Sequence, residues 1–211
     1  TGHADPLNAP AGQARAGRIT AAQLPRTPSG LGTWEGGDFV VANDRVAMVI
    51  EDADDSDLYD PWGGKPVGLA HVSNGQLVDV SDFGELLVFG FGPSTVVTEH
   101  VGVVNDGSNG QAAVVRAEGR IEAIPFVLGL IGVYWTGNTF RDTATRFAID
   151  YVLEPNSEHV DIVLRARHAR ADDVLFSDGP EAHGFMYSDR LRAFQQDGAG
   201  FSTDVIADRD W

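Results

Sequence analysis

The densest run of potential ligands in the sequence is Glu51-Asp52-Ala53-Asp54-Asp55-Ser56-Asp57-Leu58-Tyr59-Asp60. Asp52, Asp54 and Ser56 alternate with other residues in the odd-position spacing that wraps oxygen atoms around calcium. The full calcium-loop pattern is broken twice: Asp57 stands where the sharp-turn glycine belongs and Gly63 where a closing bidentate glutamate belongs. The stretch therefore has two readings. It is either a solvated acidic loop or a calcium site in which Asp52, Asp54 and Asp57 are joined by ligands from elsewhere in the chain. Directly after it, Tyr59 and Trp62 flank Asp60-Pro61 and precede Gly63-Gly64. A flat, half-exposed ring beside polar groups is what stacking on a sugar requires, so Tyr59, Asp60 and Trp62 form a candidate glycan platform; rings closing the mouth of a β-fold are the alternative. A third group, Asp178-Gly179-Pro180-Glu181-Ala182-His183-Gly184, follows His168, Asp172 and Asp173. Asp178 and His183 are its candidate metal ligands, provided that these residues converge; ordinary surface loops are the competing reading.

Other chemistries are missing from the sequence. There is no cysteine, which removes disulfides, thiolate nucleophiles and Cys-ligated metal sites. There is no Gly-x-Ser-x-Gly elbow for serine hydrolysis and no glycine-rich phosphate loop ending in Gly-Lys-Ser/Thr. The six histidines show no close helical zinc spacing. Among 31 acidic residues some carboxylate pair always looks suitable for glycoside chemistry, so none is assigned.

Charge narrows the partners. The 31 acids are 22 Asp and 9 Glu, against 14 Arg and a single lysine, Lys65, for a formal charge of -16. Such a field repels nucleic acid and anionic lipid headgroups, so a nucleic-acid partner is not expected. It favours solubility, cation binding or life in a saline medium. The longest apolar run, Ile124 to Trp135, is shorter than the ~20 residues of a bilayer span; it reads as one or two buried strands, with no transmembrane segment.

The elements that must position these groups are strands. Asp38 to Ala42 and Arg45 to Ile50 flank Asn43-Asp44, and Gly68 to Ser73 and Gln76 to Val80 flank Asn74-Gly75; both read as tight hairpins. Leu86 to Phe89 and Thr95 to Thr98 continue the pattern, and Val101 to Val104 and Ala112 to Ala117 flank the longer loop Asn105 to Gly110. The clearest alternation puts Phe147, Ile149, Tyr151 and Leu153 on one face and Arg146, Ala148 and Asp150 on the other. After the turn Glu154 to Glu158, Val160, Ile162, Leu164 and Ala166 oppose Asp161, Val163, Arg165 and Arg167. Ser188 to Gln196 is the one stretch with room for a short helix. The expected architecture is all-β: an antiparallel β-sandwich, supersandwich-like, with long loops. Residues 1–33, rich in Ala, Gly and Pro, form an extended N-terminal lead-in for which Ile19, Leu24 and Leu31 are candidate anchors. Residues 34–211 form a single domain.

Three stretches carry a family resemblance. Gly37-Asp38-Phe39-Val40-Val41-Ala42-Asn43-Asp44-Arg45-Val46 is similar to a Gly-Asp-hydrophobic-Ala-Asn-Asp-Arg-Val opening, and Arg146 to Val163 to a Tyr-Val-Leu-Glu-Pro-x-Ser strand-turn-strand. Asn105 to Gly110 with Val114-Val115-Arg116 and Gly119 fits as well. Together they resemble the amino-terminal β-sandwich region of large secreted or lipid-anchored proteins of myxobacteria and their relatives, many of which carry a PHP-type (amidohydrolase-like) metallohydrolase domain downstream. The resemblance implies a secreted or bacterial cell-envelope location, periplasmic or outer-surface, and an accessory, non-catalytic role. The expectation is therefore a binding or scaffold module whose partner is a glycan or another envelope protein, with calcium as the candidate cofactor. The alternatives are a carbohydrate-binding module using Tyr59, Asp60 and Trp62, a metal-dependent hydrolase using the His168–His183 region, and a surface protein assembling edge to edge.

Overall fold

The computed structural model describes residues 2–25, 34–53, 56, 61–82, 85–89, 94–123, 145–168, 183–187, 195–197 and 200–202. The strands are β1 (Ala14–Arg18), β2 (Phe39–Asn43), β3 (Val46–Ile50), β4 (Pro66–Ser73), β5 (Gln76–Asp82), β6 (Glu85–Phe89), β7 (Ser94–Asn105), β8 (Ala113–Ala123), β9 (Thr145–Leu153), β10 (Asp161–His168), β11 (His183–Tyr187), β12 (Gln195–Asp197) and β13 (Gly200–Ser202). One antiparallel sheet has the order β1-β2-β3-β4-β5 and a second the order β10-β9-β8-β7-β6-β11, while β12 and β13 pair separately. The fold is an antiparallel β-sandwich. No helix among the described residues is long and apolar enough to cross a membrane.

Turn chemistry explains the hairpins. Asn74 and Gly75 both adopt positive φ, 50° and 72°, as a two-residue turn matched to strand twist demands. Between β2 and β3 the turn falls on Asp44-Arg45, one residue later than the composition suggests. The reason is the Asn43 side chain: its Oδ1 accepts from the Arg45 and Val46 amides, both at 2.9 Å, and its Nδ2 donates to the Ser157 carbonyl at 2.8 Å. In the loop between β7 and β8, Asp106 and Asn109 accept from the amides two residues on, Ser108 and Gln111. Gln195 and Gln196 lie in β12 rather than a helix. The run 124–135 lies outside the described residues.

The residues between the sheets form the principal core. Ala14, Ala16, Phe39, Val41, Met48 and Ile50 from one sheet meet Val96, Val115, Ala117, Phe147, Ile149, Tyr151 and Leu153 from the other. A second core lies on the far side of the five-stranded sheet, where Val40, Ala42, Ala47, Val49, Val67 and Ala70 are covered by Leu7, Ile19 and Trp34, with Leu24 packed against them. The lead-in is thus built into the fold. Ile19 and Leu24 do anchor it (Leu31 lies outside the described residues), but residues 14–18 also form the edge strand β1, hydrogen-bonded along β2. Ala14 and Ala16 reach the core while Arg15 is partly buried and Arg18 exposed, in a strand that prolines at 6, 10, 25 and 28 do not interrupt. Burial on both faces also explains why β2 reads as a continuous apolar run. In the six-stranded sheet, β8 and β9 differ: their inner face is apolar and their outer face carries the charges.

Two polar side chains link the sheets through the segment that leads into β4. Lys65, 1% exposed, donates to the carbonyls of Trp62 (2.8 Å), Gly63 (3.2 Å) and, across the interface, Val96 (2.8 Å). The buried Tyr151 hydroxyl donates to the Gly64 carbonyl at 2.8 Å. Gly64 has φ +82°, and an added Cβ would sit 2.5 Å from the Thr98 hydroxyl oxygen and 3.0 Å from the Ala117 methyl. A buried carboxyl lies immediately before β2. Asp38 accepts from the Glu35 amide at 2.9 Å and the Asp52 amide at 3.3 Å, and burial pushes its pKa up to about 6 despite those bonds.

Two predictions follow from this seam. Lys65→Met removes the ammonium and strands three carbonyls, and should cost roughly 2–5 kcal/mol in urea unfolding. Gly64→Ala meets both strained φ and steric overlap and should destabilise by at least about 1 kcal/mol. Asp38 gives a pH signature. Its raised folded pKa means that the folded state binds more protons than the unfolded state between about pH 4 and 6, so its contribution is present at low pH and lost as pH rises through that window. Asp38→Asn, which mimics the neutral acid, should therefore gain stability relative to the parent from pH 4 to pH 7, by roughly 2 kcal/mol; a pH-independent difference in melting would refute this assignment.

Candidate functional site

The outer face of the six-stranded sheet is built from the positions that alternate with the core. On β8, Arg116, Glu118, Arg120 and Glu122 alternate with buried Val115, Ala117 and Ile121. On β9, Arg146, Ala148 and Asp150 alternate with Phe147, Ile149 and Tyr151. A register shift in β7 between Thr98 and His100 leaves the successive residues Glu99 and His100 both exposed, as a bulge does by breaking the two-residue period. Registration then brings together residues far apart in sequence. Arg116 stands opposite Asp150, and Arg165 lies diagonally from it across β9 and β10.

Asp150 is the electrostatic centre of this face. Its side chain is 2% exposed and accepts from Arg116 Nε at 2.5 Å, Arg116 Nη2 at 2.9 Å and Arg165 Nε at 2.5 Å. Burial alone would raise its pKa, but the two guanidinium groups outweigh burial and hold the carboxyl below the usual carboxylate range. The same bond raises Arg116. A second network lies at the other end of the depression. Glu99 accepts from both Arg120 and Arg146, the latter at 2.7 Å, and Arg120 also donates to Glu122 at 2.6 Å.

Between the networks the sheet dips. The depression, open to solvent, has a volume of about 980 Å³ and is lined by Glu99, His100, Arg116, Glu118, Arg146, Ala148, Arg165 and Arg167, among others. Its floor is low because Ala148 carries only a methyl, between Glu118 on one neighbouring strand and Arg165 on the other. Guanidinium donors and carboxylate acceptors therefore ring a small-residue floor, a surface suited to a ligand that both donates and accepts hydrogen bonds.

No family model, curated protein or solved structure matches this chain.

The residues singled out from sequence lie elsewhere. Asp52 pairs with Arg18 at 2.6 Å through Oδ2, while its Oδ1 accepts from the Ala53 amide at 2.8 Å. Arg18 is held in turn over the Phe39 ring, 4.0 Å from its centroid. Both oxygens of Asp52 thus have donors. Asp54, Asp57, Tyr59, Asp60 and Asp178 lie outside the described residues, and Trp62 is half-buried with its carbonyl accepting from Lys65. His168 ends β10 and His183 begins β11, strands at opposite edges of the sheet with four strands between them. Among the described residues no group of three or more His, Asp or Glu side chains is placed to hold a metal ion.

The arginine face escaped the sequence reading because its members come from four strands. The one signal for it was present: on β8, β9 and β10 the outward positions carry Arg, Asp and Glu rather than Ser, Thr or Lys. Asp150→Asn should destabilise the chain by roughly 2–3 kcal/mol, since it leaves two guanidinium groups, both partly solvated, around a neutral amide. Because the folded pKa is depressed, this contribution is present above the unfolded carboxylate value and lost as pH falls below about 4. Urea titrations should show the difference in full at pH 7 and shrinking towards pH 3; an equal difference at both would refute the charge-based account.

Proposed function

We propose that this chain is a non-catalytic β-sandwich module that binds a glycan on the outer face of its six-stranded sheet, outside the cell or at its envelope. The observation carrying this reading is the depression itself. It has the volume of a pocket that buries a small ligand, and donors and acceptors alternate around its rim. Arg116, Arg146 and Arg165 are fixed by carboxylates from below and beside, so this part of the rim is preorganised and costs little ordering on binding. The acidic composition suits a saline setting, and the family resemblance favours an extracellular or envelope location and an accessory role beside a hydrolase domain. Calcium held by the 51–60 loop would belong to a separate site, because none of that loop's described residues lines the depression.

The test is a screen of the purified chain against a glycan array and insoluble polysaccharides, in parallel with Ala148→Trp, which fills the floor. Retention by a defined glycan, reduced at least about tenfold in the variant, is expected. Silence across the array, or equal binding by an Ala148→Trp protein with parental circular dichroism and melting, would remove the outer face as the binding site.

A further inference from the structure

The rim of the depression is not charge-balanced. Four guanidinium groups line it (Arg116, Arg146, Arg165 and Arg167) against two lining carboxylates (Glu99 and Glu118); with Asp150, which is held by Arg116 and Arg165, one positive charge is left in excess among the described residues. The imbalance is localised. Arg167 is exposed and makes no ion pair with a described residue, and it stands directly opposite Arg146 across β9 and β10. Like charges directly opposite on one sheet face are destabilising, with their Cβ atoms only about 5 Å apart. Glu99 relieves Arg146 from the β7 side, but no described carboxylate reaches the gap between Arg146 and Arg167.

We infer that this gap takes a carboxylate, and that the ligand is an acidic oligosaccharide built from uronic acid units. This rests on the outer-face reading above. The excess is one charge, and the rest of the protein is strongly acidic, so the group seated in the gap is a single carboxylate of the chain of sugars rather than a phosphate dianion. Two neighbouring guanidinium groups offer a planar carboxylate paired donors. Glu118 is half-exposed and holds only a 3.6 Å contact to Arg116; its oxygens, with those of Glu99, are acceptors for sugar hydroxyls along the same groove. A carboxylate without hydroxyls would leave those acceptors unused.

The experiment is calorimetric titration of the whole chain with trigalacturonate, its fully methyl-esterified form, monomeric galacturonate, acetate and inorganic phosphate. Trigalacturonate should bind best, and methyl esterification or Arg167→Gln should each weaken it about tenfold or more. Arg167 supports no described ion pair, so this variant should keep the parental melting temperature; Arg146→Gln provides a second variant. Arg45→Gln, which removes only the exposed pair with Glu158, should leave affinity unchanged. Equal binding of the methyl ester, an indifferent Arg167→Gln, or tighter binding of acetate or phosphate overturns the uronate inference. If the methyl ester or another neutral glycan binds and Ala148→Trp abolishes it, the outer-face reading stands alone. If none of the titrants binds and the glycan screen is silent, both fall.

Discussion

The ammonium of Lys65 is the interaction on which the placement of the two sheets depends. It is the only lysine in the chain, and it is buried where one would expect a methyl group. A buried cation is tolerated only when its protons are used, and here three of its acceptors are backbone carbonyls on both sides of the interface. An apolar side chain could fill the same volume but could not satisfy Trp62, Gly63 and Val96 together. The lysine thus sets where the strand entering β4 meets β7. The Tyr151 hydroxyl fixes the adjacent carbonyl of Gly64 from β9, and Gly64 itself must approach too closely for any Cβ. Hydrophobic contact holds the sheets together without direction; these polar contacts give the packing a register.

That register reaches the outer surface. Tyr151 and Asp150 are neighbours on β9 pointing to opposite faces, so the strand that anchors the seam also carries the carboxylate organising the arginines. On the inner side β9 is held by Tyr151, and on the outer side by Arg116 and Arg165. The five-stranded sheet could not offer a comparable face, because the lead-in, Trp34 and β1 already cover it or close its edge. A sandwich with one covered flank and one solvated flank leaves a single broad sheet surface open to solvent among the described residues.

Much of this architecture was legible in the sequence, for physical reasons that can be named. Period-two alternation assigns the faces of β9 almost residue by residue, since a one-residue slip would expose Phe147 and bury Arg146. Asn74-Gly75 announces its turn because few other pairs tolerate two positive φ values. The strand β1 was not legible: Ala14-Arg15-Ala16-Gly17-Arg18 contains no β-branched or aromatic residue, and its place comes from pairing with β2 and from the small side chains that fit beneath it. The arginine face was not legible either. Arg116, Asp150 and Arg165 are separated by 34 and 15 residues, and only inter-strand register makes them neighbours. The acidic 51–60 stretch drew attention through its spacing, whereas Asp52 is engaged by Arg18 from β1, a strand the sequence did not disclose.

The net charge and the arginine face act over different distances, and this decides how they coexist. At physiological ionic strength the field of the whole acidic chain is screened within about 8 Å. A distant anion is therefore weakly repelled, but one already in the depression interacts chiefly with the guanidinium groups it touches. Added salt weakens the long-range repulsion first and the contact pairs less. An acidic glycan meeting this protein would then lose less affinity with rising salt than it would on a basic protein, where attraction and screening act in the same sense. On the proposed reading the face would select at contact without attracting from afar, which suits a module held near an abundant matrix better than one searching dilute solution.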